Sequence, residues 1–273
     1  MPRWILITIG VLTALWLIGW LGLKIPAPLF PALPADAAAQ PETIVLPAGL
    51  PAPVERFYRT LYGDEIPVIE TAVVSGRVGL WLGPIRFPGR FHFTHEVGRN
   101  YRHDIDLTWF GIKVMSVDES FLNGQSRLNL PWPLGLTENE PKNNQAANLG
   151  LWGESLWFPA IYLTDPRLRW EPLDQDSAIL VVPGPEGEER FVMRFDPETG
   201  LHTLSEVMRY RDAADTRKIL WIPESVEWGK VDGLPVPRVS AITWFDMSFP
   251  WATWTTEEMR VNLDVSKALT DGW

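Results

Sequence analysis

The sequence predicts a mostly β protein. We expect a large curved antiparallel sheet of about 11–12 strands, an incomplete barrel wrapped on one buried apolar helix and preceded by a single N-terminal transmembrane helix. Three observations predict this fold: an uncharged apolar run over residues 4–23, many short alternating segments joined by turn residues, and an apolar stretch at 146–163 that does not alternate. We divide the chain into an anchor (1–24), a Pro/Ala-rich spacer (25–47) and an extracytoplasmic domain (48–273).

The apolar run at residues 4–23 is long enough to cross a membrane as one helix. At about 1.5 Å of rise per residue it spans about 30 Å, the thickness of a hydrocarbon core. The α-amino group and Arg3 precede it and Lys24 follows it, which favours the N-terminus inside and the domain outside. Because a signal peptide has an apolar core of only about 7–15 residues, an uncleaved anchor is favoured over cleavage near residues 37–39. The predicted location is the cytoplasmic membrane, crossed once.

The domain after the anchor is acidic. The chain has 34 acidic and 24 basic residues, and no acidic residue lies in the first 24 positions. The negative charge repels nucleic acid, so we predict no nucleic-acid partner. The chain has no cysteine, which excludes disulfides, thiolate metal sites and a cysteine nucleophile.

The spacer is rich in proline and the domain after it opens with a helical pattern. Residues 25–53 contain prolines at positions 26, 28, 31, 34, 41, 47, 51 and 53. Such spacing forbids a continuous helix and favours extended segments of about 3.1 Å per residue, so we expect 25–47 to hold the domain away from the bilayer. Apolar residues then recur with helical spacing, which predicts a short amphipathic helix over 54–62.

Strand patterns dominate the rest of the domain. The turns Asn123-Gly124 and Asp232-Gly233 are typical of two-residue hairpins, and Gly200 supplies the left-handed residue of a longer one. Short links of this kind predict an antiparallel meander, because parallel strands need long crossovers. The predicted strands are 70–82, 85–97, 101–110, 113–121, 126–130, 168–173, 178–182, 190–195, 202–210, 218–228, 236–245 and 255–265.

Residues 146–163 predict a buried helix. Glu154 is the only charged residue in this segment, which is apolar nearly all the way round. Pro159 cannot donate a helical hydrogen bond, so the helix should kink or divide there. The polar residues, glycines and proline argue against a second membrane span. A bent sheet wrapped around this helix is the simplest way to bury it.

Six segments occur in the same order as in a family of bacterial proteins, and they extend over roughly 48–265. They are 50–54, 118–124, 154–159, 168–171, 195–196 with Gly200, and 233–237 leading to Trp244. On these segments the chain resembles the domain of unknown function 6544, a family that implies no established activity.

The strand number and the inserted helix also resemble the incomplete barrels of bacterial lipoprotein carriers and related lipid-binding lipoproteins. In those proteins a curved antiparallel sheet covers a helix and leaves an apolar cavity. The resemblance therefore implies a cavity here, although a fold does not fix a function.

A group of histidines and carboxylates at 92–106 does not predict a metal or catalytic site. Alternate residues of a strand share a face, so His92 and His95 point to opposite sides, as do His103 and the pair Asp104 and Asp106. No phosphate loop, nucleophile elbow or calcium loop occurs elsewhere. We therefore predict no catalytic residues, no metal and no cofactor, and a hydrolase using the His92/His103/Asp104 region is the last of our hypotheses.

The tryptophan content supports a binding cavity. The chain has 15 tryptophans, most of them after the anchor, and they either fill a wide core or line a pocket. Glu154 would be costly to bury alone, so we expect it at the mouth of the fold or paired with Arg169 or Arg194. The predicted ligand-binding residues are Leu151, Trp152, Glu154, Trp157, Phe158, Trp170 and Trp244.

Two main functions follow from these expectations. The first is a membrane-anchored extracytoplasmic domain that binds a lipid or another apolar small molecule. The second is a non-enzymatic accessory or structural subunit of a larger membrane complex. An open apolar pocket of several hundred Å³ favours the first, and a filled interface between helix and sheet favours the second.

Overall fold

A computed structural model describes residues 2–33, 41–130 and 135–272. The alternative cleavage position at residues 37–39 lies outside the described residues. In chain order the elements are α1 (Arg3–Gly22), β1 (Thr43–Val45), α2 (Ala52–Tyr62), β2 (Glu65–Pro67), β3 (Thr71–Leu82), β4 (Ile85–Glu96), β5 (Asn100–Trp109), β6 (Ile112–Leu122), β7 (Gln125–Leu130), β8 (Gly135–Glu138), α3 (Pro141–Glu154), a 3₁₀ helix (Ser155–Trp157), α4 (Ile161–Thr164), β9 (Arg169–Pro172), β10 (Ser177–Gly184), β11 (Gly187–Phe195), β12 (His202–Arg209), β13 (Ile219–Val231), β14 (Leu234–Trp244), β15 (Ala252–Val261) and α5 (Ser266–Asp271).

Thirteen strands form one open antiparallel sheet in the order β8-β7-β6-β5-β4-β3-β15-β14-β13-β12-β11-β10-β9. Two meanders, β3–β8 and β9–β15, join where β15 pairs with β3. The strands β1 and β2 pair separately. The predicted fold class is confirmed. The sheet exceeds the predicted strand number because the short edge strand β8 carries too few residues for its alternation to stand out.

Tight turns keep successive strands adjacent, as predicted. Asn123 and Gly124 have φ values of 52° and 81°, and Asp232 and Gly233 have 50° and 85°. Both central residues of a type I′ hairpin need positive φ, which Asn-Gly and Asp-Gly supply at low steric cost.

The apolar segment after β8 packs against the inner face of the sheet. The helix begins earlier than predicted, at Pro141, and it divides at the 3₁₀ helix that precedes Pro159. The predicted break is therefore present. Gly153 lets α3 approach β13 closely, because a Cβ there would lie 2.7 Å from the ring of Trp221. The hydroxyl of Tyr58 on α2 donates to the carbonyl of Pro159 over 2.8 Å, which fixes the segment after the break.

The helix α1 is long and apolar enough to cross a membrane, and no other helix among the described residues meets that test. Its C-terminal end contacts the β5–β6 hairpin. The indole nitrogen of Trp109 donates to the carbonyl of Gly19 over 2.9 Å, and the backbone amide of Phe110 donates to the carbonyl of Gly22 over 3.0 Å. This end of the sheet therefore lies beside the C-terminal end of α1.

The first part of the predicted spacer lies on the outer face of the sheet. Arg77 and Arg90 donate to the carbonyls of Ala27 and Leu29 over 2.9 and 3.2 Å, and Leu33 is buried. An extended proline-rich segment has unpaired carbonyls, which these arginines bind. Residues 34–40 of the predicted spacer lie outside the described residues.

Candidate functional site

A small cavity lies between the 3₁₀ helix and strands β13–β15. Its volume is about 30 Å³, which is room for one or two water molecules. This volume is far below the several hundred Å³ expected for a preformed carrier. We call this space the indole cavity. It is lined by Gly153, Glu154, Leu156, Trp157, Trp221, Pro223, Glu224, Ser225, Pro237, Ser240, Ala241, Ile242 and Trp254.

Several donors at the indole cavity have no partner. The indole nitrogens of Trp157, Trp221 and Trp254 and the hydroxyl of Ser240 are buried without a hydrogen bond to any described residue. Each buried unpaired donor costs about 1–3 kcal/mol. A group of such donors around one space is typical of a site that receives acceptor atoms from water or from a ligand.

The predicted ligand-binding residues divide between this cavity and the surrounding core. Glu154 and Trp157 line the cavity. Leu151 and Phe158 are buried in the main core outside the lining. The sequence pattern of an all-round apolar segment does not fix which of its side chains face this cavity.

The other three predicted residues also lie outside the lining. The indole nitrogen of Trp152 donates to the carbonyl of Pro183 over 3.2 Å. The indole nitrogen of Trp170 donates to the carbonyl of Tyr162, also over 3.2 Å. Trp244 is buried in the core without lining the cavity. These aromatic residues fill the interface.

Glu154 pairs with a histidine and not with the arginines that the sequence suggested. Its Oε2 lies 2.8 Å from Nε2 of His103, although the two atoms are not aligned for a hydrogen bond. Arg169 and Arg194 instead form ion pairs with Glu188 and Glu206. Their strands point these side chains to the outer face, so neither can reach the helix.

A second carboxylate supports His103 from the next strand. Oε2 of Glu119 lies 3.9 Å from Nδ1 of His103, and its Oε1 accepts a 2.7 Å hydrogen bond from the hydroxyl of Tyr101. Burial by itself would lower the pKa of His103, but Glu154 and Glu119 outweigh it and raise the pKa to about 9. Burial would raise the pKa of Glu119, but His103, Tyr101 and Arg209 hold it at about 2. The described geometry is thus a buried histidine placed between two half-buried carboxylates.

His95 completes what we call the histidine–carboxylate cluster, which consists of His95, His103, Glu119 and Glu154. Its side chain is fully buried, its ring centroid lies 5.6 Å from that of His103, and neither ring nitrogen has a hydrogen-bond partner among the described residues. Burial, and then the charge of His103, lowers its pKa well below the usual value.

The cluster differs from the grouping considered in the hydrolase hypothesis. His92 and Asp104 are cross-strand partners, and by alternation they lie on the face opposite to His103. The trio His92/His103/Asp104 therefore does not form one site. Pairing the predicted strands 85–97 and 101–110 about Gly98 would have placed His95 and His103 on one face. These two histidines could then have been predicted as the partners of Glu154, the only charged residue of the predicted buried helix.

Residues 42–254 match the model of a family described as a family of unknown function, DUF6544. No curated protein gives a significant sequence match.

Solved structures with a similar fold include three bacterial proteins. A DUF1329 family protein from Desulfovibrio piger has 14% identity and a TM-score of 0.44, over 74% of this chain and 90% of that one. A LolA superfamily protein from Nitrosomonas europaea has 8% identity and a TM-score of 0.48, over 82% and 99%. A domain described as an outer membrane lipoprotein-sorting protein, from Vibrio parahaemolyticus, has 8% identity and a TM-score of 0.43, over 79% and 92%. Similarity at this level carries no information about a ligand.

Proposed function

We propose that this chain, which belongs to the DUF6544 family, is a membrane-anchored extracytoplasmic protein whose indole cavity binds a lipid or another apolar small molecule. The observation that carries the proposal is the set of unpaired indole donors of Trp157, Trp221 and Trp254. These three tryptophans line a space bounded mostly by apolar side chains. A molecule with an apolar body and one acceptor group, such as an ester or a carboxylate, matches this lining.

The cavity has a volume of only about 30 Å³, so binding an apolar chain requires movement. The short 3₁₀ helix forms one wall, and it lies between the end of α3 and Pro159. A 3₁₀ stretch within a helical segment often marks a hinge, because its hydrogen bonds are poorer than those of an α-helix. In the proposal this wall moves away from β13–β15 and admits the apolar chain.

Exposed apolar side chains support the proposal that the domain contacts the bilayer surface. Ile112 is 70% exposed in the hairpin that contacts α1, and Phe245 is 74% exposed in the loop before β15. The β5–β6 hairpin and the loop before β15 leave the sheet at the same end, because the strands are antiparallel. Consistently, the ring of Phe249 in the loop before β15 contacts the ring of Trp81, which lies next to the β3–β4 turn. Such side chains suit the interfacial zone of a membrane.

The proposed topology can be tested with single cysteines, because the chain has none of its own. We expect Glu198→Cys, in an exposed hairpin, to react with a membrane-impermeant maleimide in intact spheroplasts. The matched variant Pro2→Cys should react only after permeabilisation. Labelling in the reverse order would contradict the extracytoplasmic location.

Ligand binding can be tested by cross-linking the full chain in proteoliposomes to a diazirine-bearing phospholipid. Trp254→Phe removes one unpaired donor and keeps an aromatic ring. The yield of lipid adduct on the β domain should therefore fall about fivefold, which corresponds to the loss of one hydrogen bond of about 1 kcal/mol. Ala241→Leu fills the cavity and should abolish the adduct. Trp170→Phe is the matched control, because its indole binds Tyr162 outside the cavity. Adducts confined to α1, or equal yields in wild type and Ala241→Leu, would refute the proposal.

The second candidate function is an accessory subunit of a membrane complex. The filled interface around α3 favours it, because a packed core needs no ligand. In that case the exposed loops near the anchor would contact a protein. A photoreactive amino acid at Ile112 would then give one discrete protein adduct in cells.

A further inference from the structure

We propose that His95, His103 and Glu154 bind one divalent transition-metal ion, for which Zn²⁺ is the probe. One ligand atom from each residue lies within 4.8 Å of the others. The ligands of a tetrahedral zinc ion lie about 3.4 Å apart, given bonds of about 2.1 Å, so small side-chain rotations suffice.

The chemistry of the donors fits such an ion. Two imidazole nitrogens and one carboxylate are a frequent ligand set of zinc with an open position, and of iron(II) with open positions. The ligands come from three rigid elements: His95 from β4, His103 from β5 and Glu154 from the last turn of α3. The sheet register holds the two histidines, because His103 pairs with Phe93, two residues before His95.

His95 provides an observation independent of this clustering. It is fully buried and both of its ring nitrogens lack hydrogen-bond partners in the part of the chain that the structure describes. The facing atoms, Nε2 of His103 and Oε2 of Glu154, also lack aligned partners. Buried polar atoms are normally satisfied, and an ion at this point would bind one ring nitrogen of His95 together with Nε2 of His103 and Oε2 of Glu154.

A supporting shell is present around the proposed ligands. Glu119 approaches the second ring nitrogen of His103, and Tyr101 in turn holds Glu119. A carboxylate behind a histidine ligand fixes its orientation in many metal sites. Arg209, which is half-buried, lies close enough to Glu119 and Glu154 to interact with their charges. We assign Glu119 a positioning role.

The test uses the full chain in detergent, stripped with a chelator and then equilibrated with Zn²⁺. We expect about one tightly held zinc ion per chain by elemental analysis, and a higher Tm with zinc than without it. His95→Phe keeps an aromatic ring and removes both nitrogens, so it should lose the zinc and the Tm shift. Glu119→Gln should weaken zinc binding by about 10–100-fold.

The alternative is that these residues form only a structural network of charges. In that case His95→Phe removes two unpaired nitrogens and changes zinc binding no more than His92→Phe, a control on the same strand. Glu154→Gln provides a second ligand variant if His95→Phe does not fold. The proposal fails if the wild-type chain retains no zinc, or if the ligand variants bind it as the wild type does.

Discussion

Replacing Trp152 by alanine should lower the free energy of unfolding by about 3–5 kcal/mol, the range for deleting a large buried aromatic side chain. The side chain is only 1% exposed, its indole donates to the carbonyl of Pro183, and the guanidinium of Arg167 lies 5.4 Å from the ring centre. The loss therefore combines a cavity with the loss of one of the two hydrogen bonds that the Pro183 carbonyl accepts, the other coming from Asn148. Urea unfolding of the full chain in detergent, followed by far-UV circular dichroism, measures it.

Two variants separate the contributions to this loss. Trp152→Phe keeps most of the ring and removes the hydrogen bond, so it should cost about 1 kcal/mol plus a smaller packing term. Phe245→Ala changes an aromatic residue that is 74% exposed and should lie within about 0.5 kcal/mol of the wild type. A loss below about 1 kcal/mol for Trp152→Ala would mean that α3 is not part of the core.

The general fold was predictable because it depends on local patterns. Alternation and turn residues such as Asn123-Gly124 specify strands and hairpins without knowledge of distant contacts. The break before Pro159 was predictable for the same reason, since proline acts on its own segment. The strands β1, β2 and β8 were missed because three or four residues are too few to show a period.

The candidate sites were less predictable because they depend on which faces meet. An apolar helix such as α3 does not indicate which side faces β13–β15, so Leu151 and Phe158 could not be told from Trp157. The partner of Glu154 required the register between β4 and β5, which places His103 on the inner face. The cavity volume depends on side-chain packing across the whole interface, which no sequence window reports.

The stability of this protein should fall on acidification through a histidine that lies behind the wall of the indole cavity. His202 is buried, and its two ring nitrogens lie 2.8 Å from the hydroxyl oxygens of Ser225 and Ser205. Burial lowers its pKa to about 3, whereas in the unfolded chain the value is about 6.5. Between these values the unfolded chain binds a proton that the folded chain does not, so the stabilisation present above pH 6.5 is lost as the pH falls towards 3.

The expected size of this effect is about 3 kcal/mol between pH 7.5 and pH 4.5, because two pH units below the unfolded pKa each contribute about 1.4 kcal/mol. The variant His202→Gln lacks the titrating group, so the gap in unfolding free energy between wild type and variant should narrow by that amount over this interval. Other buried histidines titrate equally in both proteins and cancel. Ser205→Ala is the matched control: it removes one hydrogen bond, keeps the imidazole and should retain the wild-type pH dependence. A gap that stays constant from pH 7.5 to 4.5 would show that His202 is not held neutral by burial.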